Sequence, residues 1–202
     1  MVSGMDIIKR RIAHLKKTLE KALEIDETRL ACEIKETGFK CIQCGKCCRQ
    51  HYGDNTVAVF PFEVWRICKQ TGLKWKDVVI PTPSEDMDSE GNIHTFEWVL
   101  RKNGDCIFLE GGICSVYKNR PYICKTYPFY LYEGRLMVCE CDGHGKSMDD
   151  LESREMASLL KERYITEIKE SISLLEKFNG FSPGGRGNVC VHDSEGEHWL
   201  TL

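Results

Sequence analysis

Eight cysteines carry the clearest chemical pattern in this 202-residue chain. Cys41, Cys44, Cys47 and Cys48 fall in one short run, and Cys106, Cys114, Cys124 and Cys141 follow at wider spacing. A Cys-x-x-Cys turn puts two sulfurs on one side of a tight bend, where they can share an ion. Gly45, directly after Cys44, takes positive φ at no steric cost. The backbone N–H groups of such a bend can then point at the thiolates and disperse their charge. If Cys47-Cys48 is extended, the two side chains face opposite ways and look toward different ions. Eight thiolates fill two four-thiolate sites. The expectation is two metal ions or clusters close together, each drawing ligands from residues 41–48 and from the later cysteines. Both zinc and iron–sulfur chemistry accept four thiolates.

The surrounding charges agree. No Asp or Glu occurs from 37 to 53 or from 111 to 132, whereas Lys40, Lys46, Arg49, Lys118, Arg120 and Lys125 do. A divalent ion held by four thiolates carries a net −2, which neighbouring cations stabilise. Arg120, fixed before Pro121, is the best candidate for that role, while Lys46 and Lys118 read equally as solvated loop lysines. Free cysteine also behaves as a small buried hydrophobe, and that is the reading for Cys32, Cys68 and Cys190. Cys139 fits either reading. His51 and His144 lie three residues beyond Cys48 and Cys141 and read as loop histidines near the metal rather than ligands. His14, His94, His192 and His198 carry no comparable context.

The chain has twelve cysteines, 28 basic and 31 acidic residues, and a formal net charge of −3. That balance calls for neither a nucleic acid nor an anionic membrane as partner. The N-terminus lacks an apolar signal core, and no stretch has the ~18 apolar residues of a membrane span. The expected compartment is therefore the reducing cytoplasm, where a cysteine pattern means metal or catalysis more often than disulfides.

These sulfurs need elements to position them. Apolar residues at 8, 12, 15, 19 and 23 predict one amphipathic helix over 5–36. A second long helix is predicted over 149–178, with Met156, Leu160, Tyr164, Ile168, Ile172 and Leu175 as its stripe and Ser147 with Asp150 as its capping box. Between them, short strands are predicted at 56–60, 93–100, 106–109, 113–117, 129–132 and 135–138, with a helix over 62–71 and a helical turn at 75–79. Gly111-Gly112 and Glu133-Gly134 read as hairpin turns. Residues 81–92 read as a polar surface loop, and the tail from 181 has no assignment. The fold class is α+β: a compact, irregular, cysteine-rich metal core with short strands, packed with long N- and C-terminal helices. The expected layout is an N-terminal helix over 1–38, the cysteine-cluster domain over 39–145, a helix packing on it over 146–180, and a tail over 181–202.

Phe39-Lys-Cys41-x2-Cys44-Gly45-Lys-Cys47-Cys48-Arg49, then Cys106-x7-Cys114-x5-Arg120-Pro121-x2-Cys124-x3-Pro128, then Cys141-x-Gly143-x-Gly145 resembles the YkgJ-like cysteine-cluster family. That family has a CxxCxxCC signature and is described as zinc- or iron-chelating. The resemblance covers about residues 39–145 and includes Phe60-Pro-Phe-Glu63-Val-Trp-Arg-Ile. One departure is Asp142, where the family pattern has proline. Flagellin lysine N-methylases are similar over the same cysteines, but no strand–glycine loop–helix signature for S-adenosylmethionine is present, and Gly184-Gly-Arg-Gly187 is a weak one. The resemblance implies a metal-binding protein with thiolate-ligated zinc or iron–sulfur. A redox or methyl-transfer component is one alternative, with Tyr117, Tyr122, Tyr127, Tyr130 and Trp65 available to line a cleft. Metal storage or delivery to a protein client is another.

Overall fold

A computed structural model describes residues 4–181 and 188–201; Gly184–Gly187 and its glycine motif lie outside them. The helices in chain order are α1 (Gly4–Leu23), α2 (Glu27–Thr37), α3 (Pro61–Thr71), α4 (Trp75–Val78), α5 (Tyr122–Thr126) and α6 (Asp150–Lys177). The strands are β1 (Ala58–Val59), β2 (Val79–Pro81), β3 (Ile93–Thr95), β4 (Trp98–Leu100), β5 (Lys102–Asn103), β6 (Asp105–Cys106), β7 (Leu109–Glu110), β8 (Ile113–Cys114), β9 (Phe129–Tyr132), β10 (Arg135–Val138), β11 (Asn188–His192) and β12 (Glu197–Thr201). This is an α+β fold of helices and short strands in small sheets. The chain divides into two compact units, Met1–Cys44 with Tyr122–Lys169 and Gly45–Pro121 with Glu170–Leu202. The cysteine run is therefore cut between Cys44 and Gly45.

In the first unit, the helix expected over 5–36 is two helices. Asp26 breaks it by accepting hydrogen bonds from the backbone N–H groups of Thr28 and Arg29 at 2.9 and 3.2 Å. A side-chain cap of this kind satisfies donors that a new helix start leaves open. Lys161 Nζ donates to Ile25 O at 2.9 Å and ties α6 to that corner. The start of α6 is capped two residues beyond the expected box. Glu152 N donates to Asp149 Oδ1, and Asp149 N to Glu152 Oε2. Asp149 outcompetes Ser147 because the longer Glu152 closes the reciprocal pair. β9 and β10 form the expected hairpin across Glu133-Gly134. Leu30, Ile34, Phe39, Phe129, Leu131, Ala157 and Leu160 make the core.

In the second unit, β1-β4-β2 form one sheet and β12-β11-β3 another, with β5-β6 and β7-β8 as small hairpins. The strand expected over 93–100 is thus two strands in different sheets. The unassigned tail contributes β11, which pairs parallel with β3, and β12, which pairs antiparallel with β11. Val59, Val64, Ile67, Val78, Val79, Trp98, Leu100, Phe108, Val116 and Val191 form the core.

Candidate metal centre

The eight motif cysteines divide evenly between the units. Cys41, Cys44, Cys124 and Cys141 belong to the first, and Cys47, Cys48, Cys106 and Cys114 to the second. All twelve cysteines of the chain are free thiols.

The second unit builds its four on short, cross-braced turns. Gly45 has φ +70° and opens a 3-10 turn over Lys46–Cys48. A Cβ at Gly45 would lie 2.9 Å from Gly112 O, so only glycine lets this turn approach the β7–β8 hairpin that ends at Cys114. Gln50 N donates to Asp105 Oδ1 at 3.0 Å. Asn55, buried at 6% exposure, donates through Nδ2 to Cys48 O at 3.1 Å and to Gly104 O at 2.9 Å. Its Oδ1 accepts from Lys102 Nζ at 3.1 Å. One amide thus joins the cysteine run to the strand that carries Cys106.

The 3-10 turn changes the geometry expected at Cys47-Cys48. The dipeptide is curled rather than extended, and the two Sγ atoms lie 4.0 Å apart. Two thiolates about 2.3 Å from one zinc in a tetrahedron are about 3.8 Å apart, so the pair suits one ion rather than two. The hydrogen bond with Cys48, burial and the adjoining sulfur all push the Cys47 thiol up, against the pull of Arg120. Burial pushes up Cys106, with Cys114 and Cys47 adding to it. Burial likewise raises Cys114, with Arg120 opposing and Cys47 adding. These three thiols feel one another and resist ionising together.

Arg120 lies where the sequence reading puts it. Its guanidinium sits 3.8 Å over the Tyr117 ring, and its charge reaches Cys47 and Cys114. Its Nε is buried and has no hydrogen-bond partner among the described residues. Arg66 fixes the backbone here by donating to Arg120 O at 3.2 Å.

In the first unit Cys124 lies on α5, whereas Cys41, Cys44 and Cys141 lie on irregular chain. Cys41 and Cys44 are exposed, and Gln43 between them is left-handed at φ +54°. Around Cys141 the turn is tightly specified. Gly143 N donates to Cys141 Sγ at 3.5 Å, the N–H···S contact expected of a knuckle. Lys40 N donates to Gly143 O at 3.0 Å, joining the turn to the strand-like entry of Cys41. His144 Nε2 donates to Cys139 O at 2.7 Å, and the Tyr127 hydroxyl donates to Glu140 O. His144 and Tyr127 therefore shape the loop. His51 is exposed and rests 4.3 Å from the Tyr52 ring. Cys32, expected in the core, is exposed because the helix there turns Leu30, Ala31 and Ile34 inward instead.

A separate group of donors meets more closely. His94, Cys190 and His192 are all buried, and their ligand atoms lie within 4.8 Å of one another. His94 Nδ1 is 2.8 Å from His192 Nε2, and His94 Nε2 is 3.3 Å from Asp88 Oδ2. Within the cysteine motif, the Cys47 and Cys48 sulfurs approach to 4.0 Å. All four tryptophans also come together: Trp65, Trp75, Trp98 and Trp199 line a pocket of about 320 Å³ with His198 and Leu200. Of the five aromatics expected to line a cleft, Trp65 is in it.

A family model described as CxxCxxCC, putative zinc- or iron-chelating domain, matches residues 40–157. The chain belongs to the CxxCxxCC family. No curated protein and no solved structure matches it. Among the described residues, no helix is long and apolar enough to cross a membrane.

The donors present fit what the CxxCxxCC description names. Thiolate sulfur is a ligand for zinc and for iron–sulfur centres alike. The buried, unpartnered Arg120 Nε, whose charge reaches Cys47 and Cys114, suits an anionic centre, since an orphaned donor in apolar surroundings costs about 1–3 kcal/mol. Sequence reasoning missed Asn55, whose role is visible only once Cys48 and Gly104 are adjacent. It also missed His94 and His192, which sit far apart in sequence and carry no local motif. For Cys190 the burial expectation holds, and the neighbouring histidines give that burial a chemical context.

Proposed function

We propose that this CxxCxxCC protein carries two four-thiolate metal centres, one in each unit. Cys41, Cys44, Cys124 and Cys141 hold the first, and Cys47, Cys48, Cys106 and Cys114 hold the second. The observation that carries this reading is the even division of the motif cysteines between two separately packed units. The 4.0 Å approach of Cys47 and Cys48 and the orphaned Arg120 Nε support the second centre. The Gly143 N–H to Cys141 contact supports the first.

The metal is zinc or an iron–sulfur cluster, and its role is to hold together segments that carry little regular structure. Zinc contributes ~10–16 kcal/mol in small zinc-finger peptides, comparable to the whole stability of a domain. A cytoplasmic, reducing setting keeps the thiols available for it.

Metal content and optical spectra of anaerobically purified protein test the reading. Two zinc ions per chain that depend on the motif cysteines, in colourless protein, or visible absorption bleached by dithionite with matching iron and sulfide, is the expected result. A chain that binds neither metal, or a single equivalent unaffected by Cys114→Ser, would overturn it. Metal that passes readily to a second protein would turn the reading toward delivery.

A further inference from the structure

We propose that His94, Cys190 and His192 form a further metal site, separate from the cysteine motif, that binds a zinc-class divalent cation. The register of the sheet assembles it. Cys190 of β11 lies directly opposite His94 of β3 in a parallel ladder, so the two share a face. His192 is two residues on from Cys190, and strand alternation returns it to that face. Two imidazoles and a thiol are thereby gathered by backbone pairing alone. Exposure is 0% at His94, 0% at Cys190 and 3% at His192.

The hydrogen bond to Asp88 fixes which nitrogen of His94 is available. Asp88 Oδ2 can only accept, so the His94 Nε2 at 3.3 Å carries the proton and Nδ1 is left bare. Asp88 is itself held by Asn92 Nδ2 at 2.7 Å and by the N–H groups of Glu90 and Asn92 at 2.8 and 2.9 Å. On the other ring, His192 Nδ1 lies 3.9 Å from Glu197 Oε1, too far for a hydrogen bond. His94 Nδ1 and His192 Nε2 meet at 2.8 Å, so without a metal His192 Nε2 donates its proton to His94 Nδ1. A cation bound here would displace that one proton and take both nitrogens as ligands, beside the Cys190 sulfur.

Imidazole and thiolate are zinc ligands, with Zn–N of about 2.0–2.1 Å and Zn–S of about 2.3 Å. Donors on one tetrahedral ion lie about 3.3–3.7 Å apart, so seating it needs the two imidazoles to part by roughly half an ångström. The Asp88 carboxylate on the far nitrogen of His94 is the arrangement that orients ligating imidazoles elsewhere. Phe181 stacks on His94 at 4.2 Å, Phe96 on His192 at 5.3 Å, and Trp199 meets His94 edge-on at 5.7 Å. These rings make dry walls. Three protein donors leave a fourth position for a small ligand such as water.

Zinc stoichiometry of the full chain, compared with Cys190→Ala and His192→Gln, tests the site. Because the result is a difference between variants, it is independent of how the motif cysteines load. The wild-type chain should hold one zinc more than either variant, and Asp88→Asn should weaken that zinc about 10- to 100-fold. Cobalt substitution should add a sulfur-to-metal band that Cys190→Ala removes while the motif bands persist. In case the variants unfold, nitrogen NMR of the wild-type imidazoles gives a second reading. His94 Nδ1 and His192 Nε2 should shift together on zinc addition. Equal zinc in all three chains, or ring nitrogens that ignore zinc and report a shared proton, would overturn the proposal.

Discussion

Two groups of donors in the second unit are held in opposite ways. Cys47, Cys48, Cys106 and Cys114 sit on a 3-10 turn and on two-residue strands, and none is fully buried. His94, Cys190 and His192 sit on one face of a three-stranded sheet and are nearly inaccessible. Strands of two residues supply almost no ladder energy, so on the proposed reading a bound metal would join the Asn55 brace in holding the first group together. The second is kept in place by hydrogen-bonded register and aromatic packing. On the proposed readings, the contrast teaches that ligand placement can be left largely to the ion or built into the protein, and that one unit would do both.

Removing metal should break the comparison most visibly. Exhaustive chelation is expected to lower Tm by more than ~10 °C. Amide exchange should accelerate first across Lys102–Asn103 and Ile113–Cys114, while β11 stays protected. Equal loss of protection in both regions would erase the distinction. Next comes pH. The Cys47, Cys106 and Cys114 thiols are all raised, by the Cys48 hydrogen bond or by burial, so they are protonated at neutral pH. Binding must expel those protons. Affinity of the cysteine motif should therefore climb with pH, about tenfold per pH unit for each proton released. Calorimetry in buffers of different ionisation enthalpy measures the proton count, and a pH-independent affinity would contradict it.

A smaller effect is expected from Asn55→Ala. It strips buried donors from Cys48 O and Gly104 O and should cost roughly 2–3 kcal/mol in denaturant unfolding. Loss below about 0.5 kcal/mol would mean that the brace is idle. The smallest is Arg120→Met, which removes the guanidinium over Tyr117 and its charge. It should weaken metal in the second unit about tenfold, as competition with a chromophoric chelator would show, and lower the apo-protein's stability by only about 1 kcal/mol.

Much of the motif and part of the frame were legible in the sequence. Gly111-Gly112 and Glu133-Gly134 announce their hairpins because the turn chemistry is local. The stripe from Met156 to Leu175 announces α6 because its period is local too. The break in the first helix was not read because apolar spacing continues past Asp26, whereas the cap that decides the matter is one carboxylate. β11 was invisible for a different reason: its parallel partner β3 lies nearly a hundred residues earlier, and Asn-Val-Cys-Val-His has no turn signal beside it. His94 and His192 were passed over on the same ground, since only register makes them neighbours. The curl at Cys47-Cys48 follows from the left-handed Gly45, a position that sequence marks as permissive without saying which way the chain will go.

The pairing of β11 with β3 has a practical bearing on how this protein is cut. The family match stops at residue 157, and a fragment trimmed there would retain every motif cysteine. It would also strand Ile93–Thr95 without its neighbour, exposing a row of unsatisfied backbone groups to any passing chain. Such a fragment would be prone to clump, and its insolubility would be easily mistaken for a failure to bind metal.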